Sequence, residues 1–248
     1  MPNEIVLWLA LCVFGVALLY SSVGHAGASG YLAVMSLFGI APEVMKPTAL
    51  ALNILVATIG SVQFARAGHF RWRLFWPFAA LAVPLSFVGG TVALPADVFR
   101  LVVGAVLVFS AFRFVIEPRD AATTHPPALG VAIASGGALG LLAGLTGTGG
   151  GVFLTPLLLL MRWASTKHAA AVSVLFILAN SIAGLAGSLA RGGAFPKPAF
   201  ALLGAVAAGG ALGSTLGSHH LPAPAIKRLL ALVVLGAGGK LAWDALAR

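Results

Sequence analysis

Two short segments combine glycines and hydroxyl side chains inside otherwise apolar sequence. The first is Ser21-Ser22-Val23-Gly24-His25-Ala26-Gly27-Ala28-Ser29-Gly30. The second is Thr146-Gly147-Thr148-Gly149-Gly150-Gly151, followed by Val152-Phe153-Leu154-Thr155-Pro156. Exposed backbone N–H groups in hydrocarbon cost several kcal/mol each, so such a stretch must be buried in protein or line a watered cavity. Each is followed at once by a short apolar run that reads as a half-length helix. The start of a helix presents unpaired N–H groups and about half a positive charge, which suits an anion. Gly24, Gly27, Gly30, Gly147, Gly149, Gly150 and Gly151 let a ligand approach the backbone, and Ser22, Ser29, Thr146 and Thr148 add hydroxyl donors. Two such ends, one from each half of the chain, predict a symmetric cradle for a small anionic substrate.

Other polar residues are candidates for the same path. His25 sits inside the first break; it donates to the anion as a neutral group, or becomes cationic and couples transport to protons, or else is satisfied by a backbone carbonyl. Asn53, Gln63 and Asn180 are uncharged polar residues within long apolar runs, placed either along a path or in interhelical hydrogen bonds. Ser61, Ser173 and Ser181 are expected to bond back to their own helices. Lys46 and Lys167 follow the two half-helices at similar spacing; interface snorkelling is the favoured reading, with anion steering beside it. Gly137, Gly140, Gly209, Gly210 and Gly213 read as close-packing positions. No Asp or Glu falls in the interior of a spanning run, Glu4 and Asp244 lying near run ends, which argues against a metal or cation pathway. Cys12 is the only cysteine, so neither an intrachain disulfide nor a cysteine metal cluster is expected.

The elements that must position these residues are membrane helices. The chain has 248 residues, 60% hydrophobic and only 8% charged, with a mean hydropathy of +1.03, whereas soluble domains carry roughly 25% charged residues. Its net charge of +9 comes from 15 Lys and Arg scattered singly or in pairs at the ends of apolar runs. That is the pattern of topology determinants and lipid anchors, not of a nucleic-acid surface. Long runs lie at about 4–22, 44–65, 72–93, 98–116, 128–146, 169–190, 198–217 and 225–246, each near the ~20 residues a span requires. Two short runs, about 30–41 and 151–161, reach only ~18 Å. The N-terminus lacks a basic leader, so the first run reads as an uncleaved transmembrane helix.

The only linker-like stretch, 117–127, divides the single transmembrane domain 1–248 into repeats of about 4–116 and 128–246. Leu94-Pro95-Ala96-Asp97 matches Leu221-Pro222-Ala223-Pro224 at an offset of 127, and Ala65-Arg66-Ala67-Gly68 matches Ala190-Arg191-Gly192-Gly193 at 125. Each half reads as a broken helix and half-helix followed by three spanning helices. If the half-helix completes a crossing, the halves are inverted; if it is re-entrant, they are parallel. An acidic, lysine-free N-terminus beside Arg66, Arg71 and Arg73 favours the inverted arrangement with both termini outside the cytoplasm. The fold class is thus all-α and polytopic, in a cell membrane.

The motif Gly147-x-Gly149-Gly150-Gly151-x4-Pro156-Leu157, with Ala65-Arg66-x-Gly68-x-Phe70-Arg71-Trp72, resembles the TauE/SafE family of sulfite and organosulfonate exporters over essentially the whole chain. The first break departs from that pattern, with Gly24-His25-Ala26-Gly27-Ala28. The resemblance implies a secondary transporter of sulfite, sulfonates such as sulfoacetate, or related carboxylates, acting as an exporter without ATP-binding machinery or a cofactor. Its partners would be the anion, membrane lipids and a coupling proton or cation. A passive anion channel is the alternative. Gly27-Ala28-Ser29-Gly30 also resembles the GxSG of rhomboid intramembrane proteases, a weaker reading because no later spanning run carries a histidine in its interior.

Overall fold

The computed structural model describes residues 3–22, 24–115, 123–192 and 197–219, with isolated positions beyond. Among them are nine α-helices and no strand: α1 (Asn3–Ser22), α2 (Ala28–Leu37), α3 (Pro42–Arg66), α4 (Trp72–Thr91), α5 (Ala96–Val115), α6 (Leu129–Thr146), α7 (Gly151–Leu160), α8 (Thr166–Ala190) and α9 (Lys197–His219). Six of them (α1, α3, α4, α6, α8 and α9) are long and apolar enough to cross a membrane. The helices follow the expected runs within a few residues, and the two short runs are the ten-residue helices α2 and α7. The expected run 225–246 and the stretch 116–122 lie almost wholly outside the described residues.

Large apolar side chains such as Trp8, Phe87, Phe112, Phe200 and Leu212 are exposed on the outer helices, the surface a lipid solvent covers. The interior holds two clusters. One joins α1, α2, α3, α5 and α9 with Val174, Ile177 and Leu185 of α8; the other joins α4, α6, α7 and α8. The central pair, α3 and α8, run antiparallel, with Asn53 at Ser181 and Gly60 at Val174. These are the most buried of the spanning helices.

Glycine sets how closely the others approach. A Cβ on Gly136, Gly140 or Gly144 of α6 would meet the backbone of Phe78, Ala82 or Ser86 of α4, so these two helices run side by side in the same direction. Gly209 and Gly213 of α9 meet the backbone at Phe14 and Leu18 of α1 in the same way. The mid-helix glycines of α6 and α9 therefore act as packing surfaces, because hydrocarbon supplies no hydrophobic drive and backbone proximity supplies the van der Waals contact instead.

At one end of the bundle Lys46, in the second turn of α3, is 8% exposed. Its Nζ donates to the carbonyls of Gly89 (3.0 Å), Gly90 (3.2 Å) and Val92 (3.1 Å). The snorkelling reading is thus corrected for Lys46. The last carbonyls of α4 lack intrahelical donors, and the ammonium supplies three. Lys167 is exposed, as an interface lysine would be.

Replacing Gly140 with Val should destabilise the folded protein by about 2 kcal/mol, the scale of an overpacked contact, because the side chain meets the Ala82 backbone and not a movable side chain. Thermal unfolding in detergent checks this; an unshifted midpoint would mean α4 and α6 are not in close contact.

Candidate anion site at the helix breaks

α6 ends at Thr146, and the next residues turn away through left-handed conformations that favour glycine. Gly147 has φ 80° and ψ 14°, Gly149 φ 73°, and Gly150, the N-cap of α7, φ 80°. The Gly147 N–H returns to the Ala143 carbonyl at 2.9 Å, and the next N–H to find a backbone acceptor is that of Phe153, to Gly150 at 3.1 Å. Between them the N–H groups of Thr148, Gly149, Gly150, Gly151 and Val152 find no backbone acceptor among the described residues. All five residues are buried. The first break has the same form. His25 N–H donates to Tyr20 at 2.9 Å, Tyr31 N–H to Gly27 at 2.9 Å, and the N–H groups of Ala26, Gly27, Ala28, Ser29 and Gly30 lie between, also buried and without a backbone acceptor among the described residues.

The surroundings of the two breaks differ. At the second, Asn53 is fully buried, and its Nδ2 donates weakly to the Thr148 carbonyl (3.5 Å) and the Ser181 Oγ (3.4 Å). A Cβ on Gly149 would lie 2.9 Å from both Asn53 Nδ2 and Ser181 Oγ. Thr146 donates to Leu142 at 2.7 Å, and its hydroxyl lies 2.9 Å from that of Thr148. At the first break two tyrosines fill the space: Tyr20 pairs with Ser29 at 2.9 Å, and Tyr31 donates to the Ala26 carbonyl at 2.8 Å with its ring against Gly27. Gly30 packs against Val16 and Tyr20 of α1. Ser22 bonds back to Leu19 at 2.7 Å, and His25 is half-buried. Ser29 is thus held by a tyrosine hydroxyl.

The corners of the breaks face opposite ends of α3. Gly24 packs on Phe64 and on Ala170 of α8, while Gly147 packs on Lys46. Those two α3 residues are about 27 Å apart along the axis. From its corner the second break runs inward to Asn53, near the middle of α3. Gln63 is half-buried one turn from the end of α3, about 15 Å from Asn53, so it does not join the second break. Asn180 is fully buried on α8, its Nδ2 donating to Phe176 at 2.9 Å and its backbone carbonyl accepting from Ser86 at 2.8 Å. The Asn53 and Asn180 Oδ1 atoms have no hydrogen-bond partner.

Sequence reasoning ranked Ser181 low and passed over both tyrosines. The available signals were that Ser181 adjoins Asn180, and that the two tyrosines of the chain, Tyr20 and Tyr31, bracket the first break. Ser173, also expected to bond within its helix, instead accepts from Thr155 of α7 at 2.8 Å. Among the described residues no group of three or more metal-ligating side chains is present.

Apolar spanning helices around a broken, glycine-built backbone define a multi-pass membrane protein. The chain belongs to the sulfite exporter TauE/SafE family, whose profile matches residues 9–241. It is 42% identical, over 95% of its length and 97% of the relative's, to "Probable membrane transporter protein y4hK" of Sinorhizobium fredii. It is 24% identical, over 74% of its length and 79% of the relative's, to "Probable membrane transporter protein YdhB" of Bacillus subtilis. No solved structure matches the chain.

Gly149→Ala is the sharpest probe of this site. At Gly150 a side chain would first meet Phe176 and Ala143, mixing packing with binding. At Gly149 the methyl lands on Asn53 and Ser181, and on the Ile177 side chain beside them, in a backbone conformation unfavourable to alanine. Anion affinity of the folded variant should fall at least about tenfold, the loss of roughly one charge-assisted hydrogen bond. Unchanged affinity, measured by transport saturation, would move the site elsewhere.

Proposed function

We propose that the chain is a secondary transporter that carries sulfite, sulfonates or related small oxyanions out of the cytoplasm, with the second break as its binding site and the first break as its counterpart. The observation that carries this reading is the pair of matched runs of five buried backbone N–H groups without a backbone acceptor, each opening a half-length helix inside the bundle. Such groups are held ready for an acceptor ligand, and the half-helix dipole favours a negative one. Membership of a sulfite exporter family supports the sulfur oxyanion and the outward direction.

The two halves are duplicated and inverted in this reading. Support comes from the glycine contacts. Ala82 lies at Gly140 and Ser86 at Gly144, while Gly209 lies at Phe14 and Gly213 at Leu18. Offsets of 126 and 127 residues turn one set into the other with the halves exchanged, as a two-fold relation between repeats requires. Further support comes from α7, which runs back toward the end where α6 begins: the His125 N–H, just before α6, donates to the Arg162 carbonyl after α7 at 3.1 Å. Arg71 and His168 line one small cleft at that end, and Arg162 and Lys167 join them in the neighbouring loop and helix start. This basic end is the cytoplasmic one. In a Cys12→Ser background, Met161→Cys should react with a membrane-impermeant maleimide only in inverted vesicles. Labelling in intact cells would reverse the orientation.

His25, half-buried in the first break, is the coupling residue in this scheme. Purified protein in liposomes, loaded in turn with sulfite, sulfoacetate, thiosulfate and small carboxylates with and without a pH gradient, tests the whole reading. Saturable efflux of at least one sulfur oxyanion is expected, and His25→Gln should flatten its pH dependence between about pH 5 and 8. Absence of flux for every anion sinks the transporter reading for these substrates. Flux that does not saturate assigns a channel instead.

A further inference from the structure

We infer that the second break selects a singly charged oxyanion that keeps one O–H, of the hydrogensulfite class, over both dianions and hydroxyl-free monoanions. The inference rests on the anion reading above and specifies the ligand that site takes.

Three features of the site combine. The five N–H groups from Thr148 to Val152 offer donors and therefore call for acceptor oxygens on the ligand. The break itself presents a helix end equivalent to about half a positive charge. Lys46 touches Gly147 with its backbone and Cγ, while its ammonium turns to the carbonyls of Gly89, Gly90 and Val92 instead of to the N–H run. Taking a second negative charge out of water into so buried a place adds a cost that a monoanion avoids.

The third feature is an acceptor. Asn53 is fully buried against Gly149, and its Oδ1 has no partner. The orientation of this amide is set by its neighbours: Nδ2 lies 3.5 Å from the Thr148 carbonyl, and turning the amide over would bring oxygen against oxygen. Oδ1, the other polar atom of the amide that abuts the break, is therefore the acceptor without a protein partner there. An anion with lone pairs alone leaves this oxygen unsatisfied and sets two negative surfaces together. An oxyanion with one O–H donates to Oδ1 while its other oxygens accept from the N–H run. Sites that hydrogen-bond a ligand hydroxyl discriminate strongly against analogues without it, since their own polar group is then left unpaired.

The test is a binding panel on the purified full chain at a mildly acidic pH at which sulfite is mostly hydrogensulfite. Methanesulfonate has the same charge but no O–H, carrying three acceptor oxygens and a methyl; sulfate is of similar size with two charges. Hydrogensulfite should bind at least about tenfold more tightly than methanesulfonate, with sulfate weaker still. In Asn53→Leu the ratio of hydrogensulfite to methanesulfonate affinity should fall below about threefold. Equal or tighter binding of methanesulfonate by the wild-type protein overturns the inference, as does a ratio that survives in Asn53→Leu. If that variant does not fold, the wild-type panel alone decides. Failure of all three ligands to bind sinks the underlying anion reading instead, which separates the two failures.

Discussion

A backbone N–H group placed in hydrocarbon must be paired or enclosed, and this constraint organises the molecule around its two breaks. Spanning helices meet it internally, since every N–H beyond the first turn bonds within the segment. The breaks do not, because five consecutive N–H groups in each lack a backbone acceptor among the described residues. Their enclosure falls to α3 and α8, which are accordingly the most buried spanning helices and carry the buried amides Asn53 and Asn180. The outer helices can then present apolar side chains to lipid without touching the breaks. The same logic explains Lys46. The end of α4 exposes carbonyls without intrahelical donors, and one buried ammonium satisfies three of them. A charge that would be costly alone in the membrane is stable there because all its donors are engaged.

The glycines divide into two physical kinds that composition alone does not separate. Those at 136, 140, 144, 209 and 213 are helical and lie where a Cβ would strike a facing backbone. Those at 147, 149 and 150 have positive φ and shape the break itself. The first kind allows α4 to approach α6 and α9 to approach α1, which brings the two halves into one bundle. The second kind turns the chain so that α7 starts against α3 and α8. A packing glycine and a break glycine can thus lie within a few residues, as Gly144 and Gly147 do, with unrelated roles.

Much of this was legible in the sequence. Spans follow from runs of about twenty apolar residues because hydrocarbon thickness imposes a length, and breaks follow because glycine and hydroxyl residues have no other reason to interrupt such runs. Family membership was legible in the Gly147–Leu157 pattern. Hydrogen-bond partnerships were not. Nothing local indicates that Lys46 reaches 43 to 46 residues along the chain to the end of α4, or that Asn53 meets Ser181 across α8. Such choices depend on which helix faces which, and apolar helices with weak amphipathic character leave that undetermined.

The chemical difference between the breaks follows from a few side chains on a common backbone. The fourth residue of α2 is Tyr31, whose ring covers Gly27 and whose hydroxyl occupies the Ala26 carbonyl; the fourth residue of α7 is Leu154, which turns into the apolar cluster beside Phe176. Tyr20 adds a hydroxyl to Ser29 at the first break. At the second, Asn53 and Ser181 meet Gly149 from the two central helices. A tyrosine brings its own hydroxyl and ring and so closes a break with protein atoms, whereas a short amide beside glycine leaves polar atoms without a protein partner, as Asn53 Oδ1 is. The first break is thus closed by protein hydroxyls, whereas the second keeps a buried amide oxygen without a protein partner.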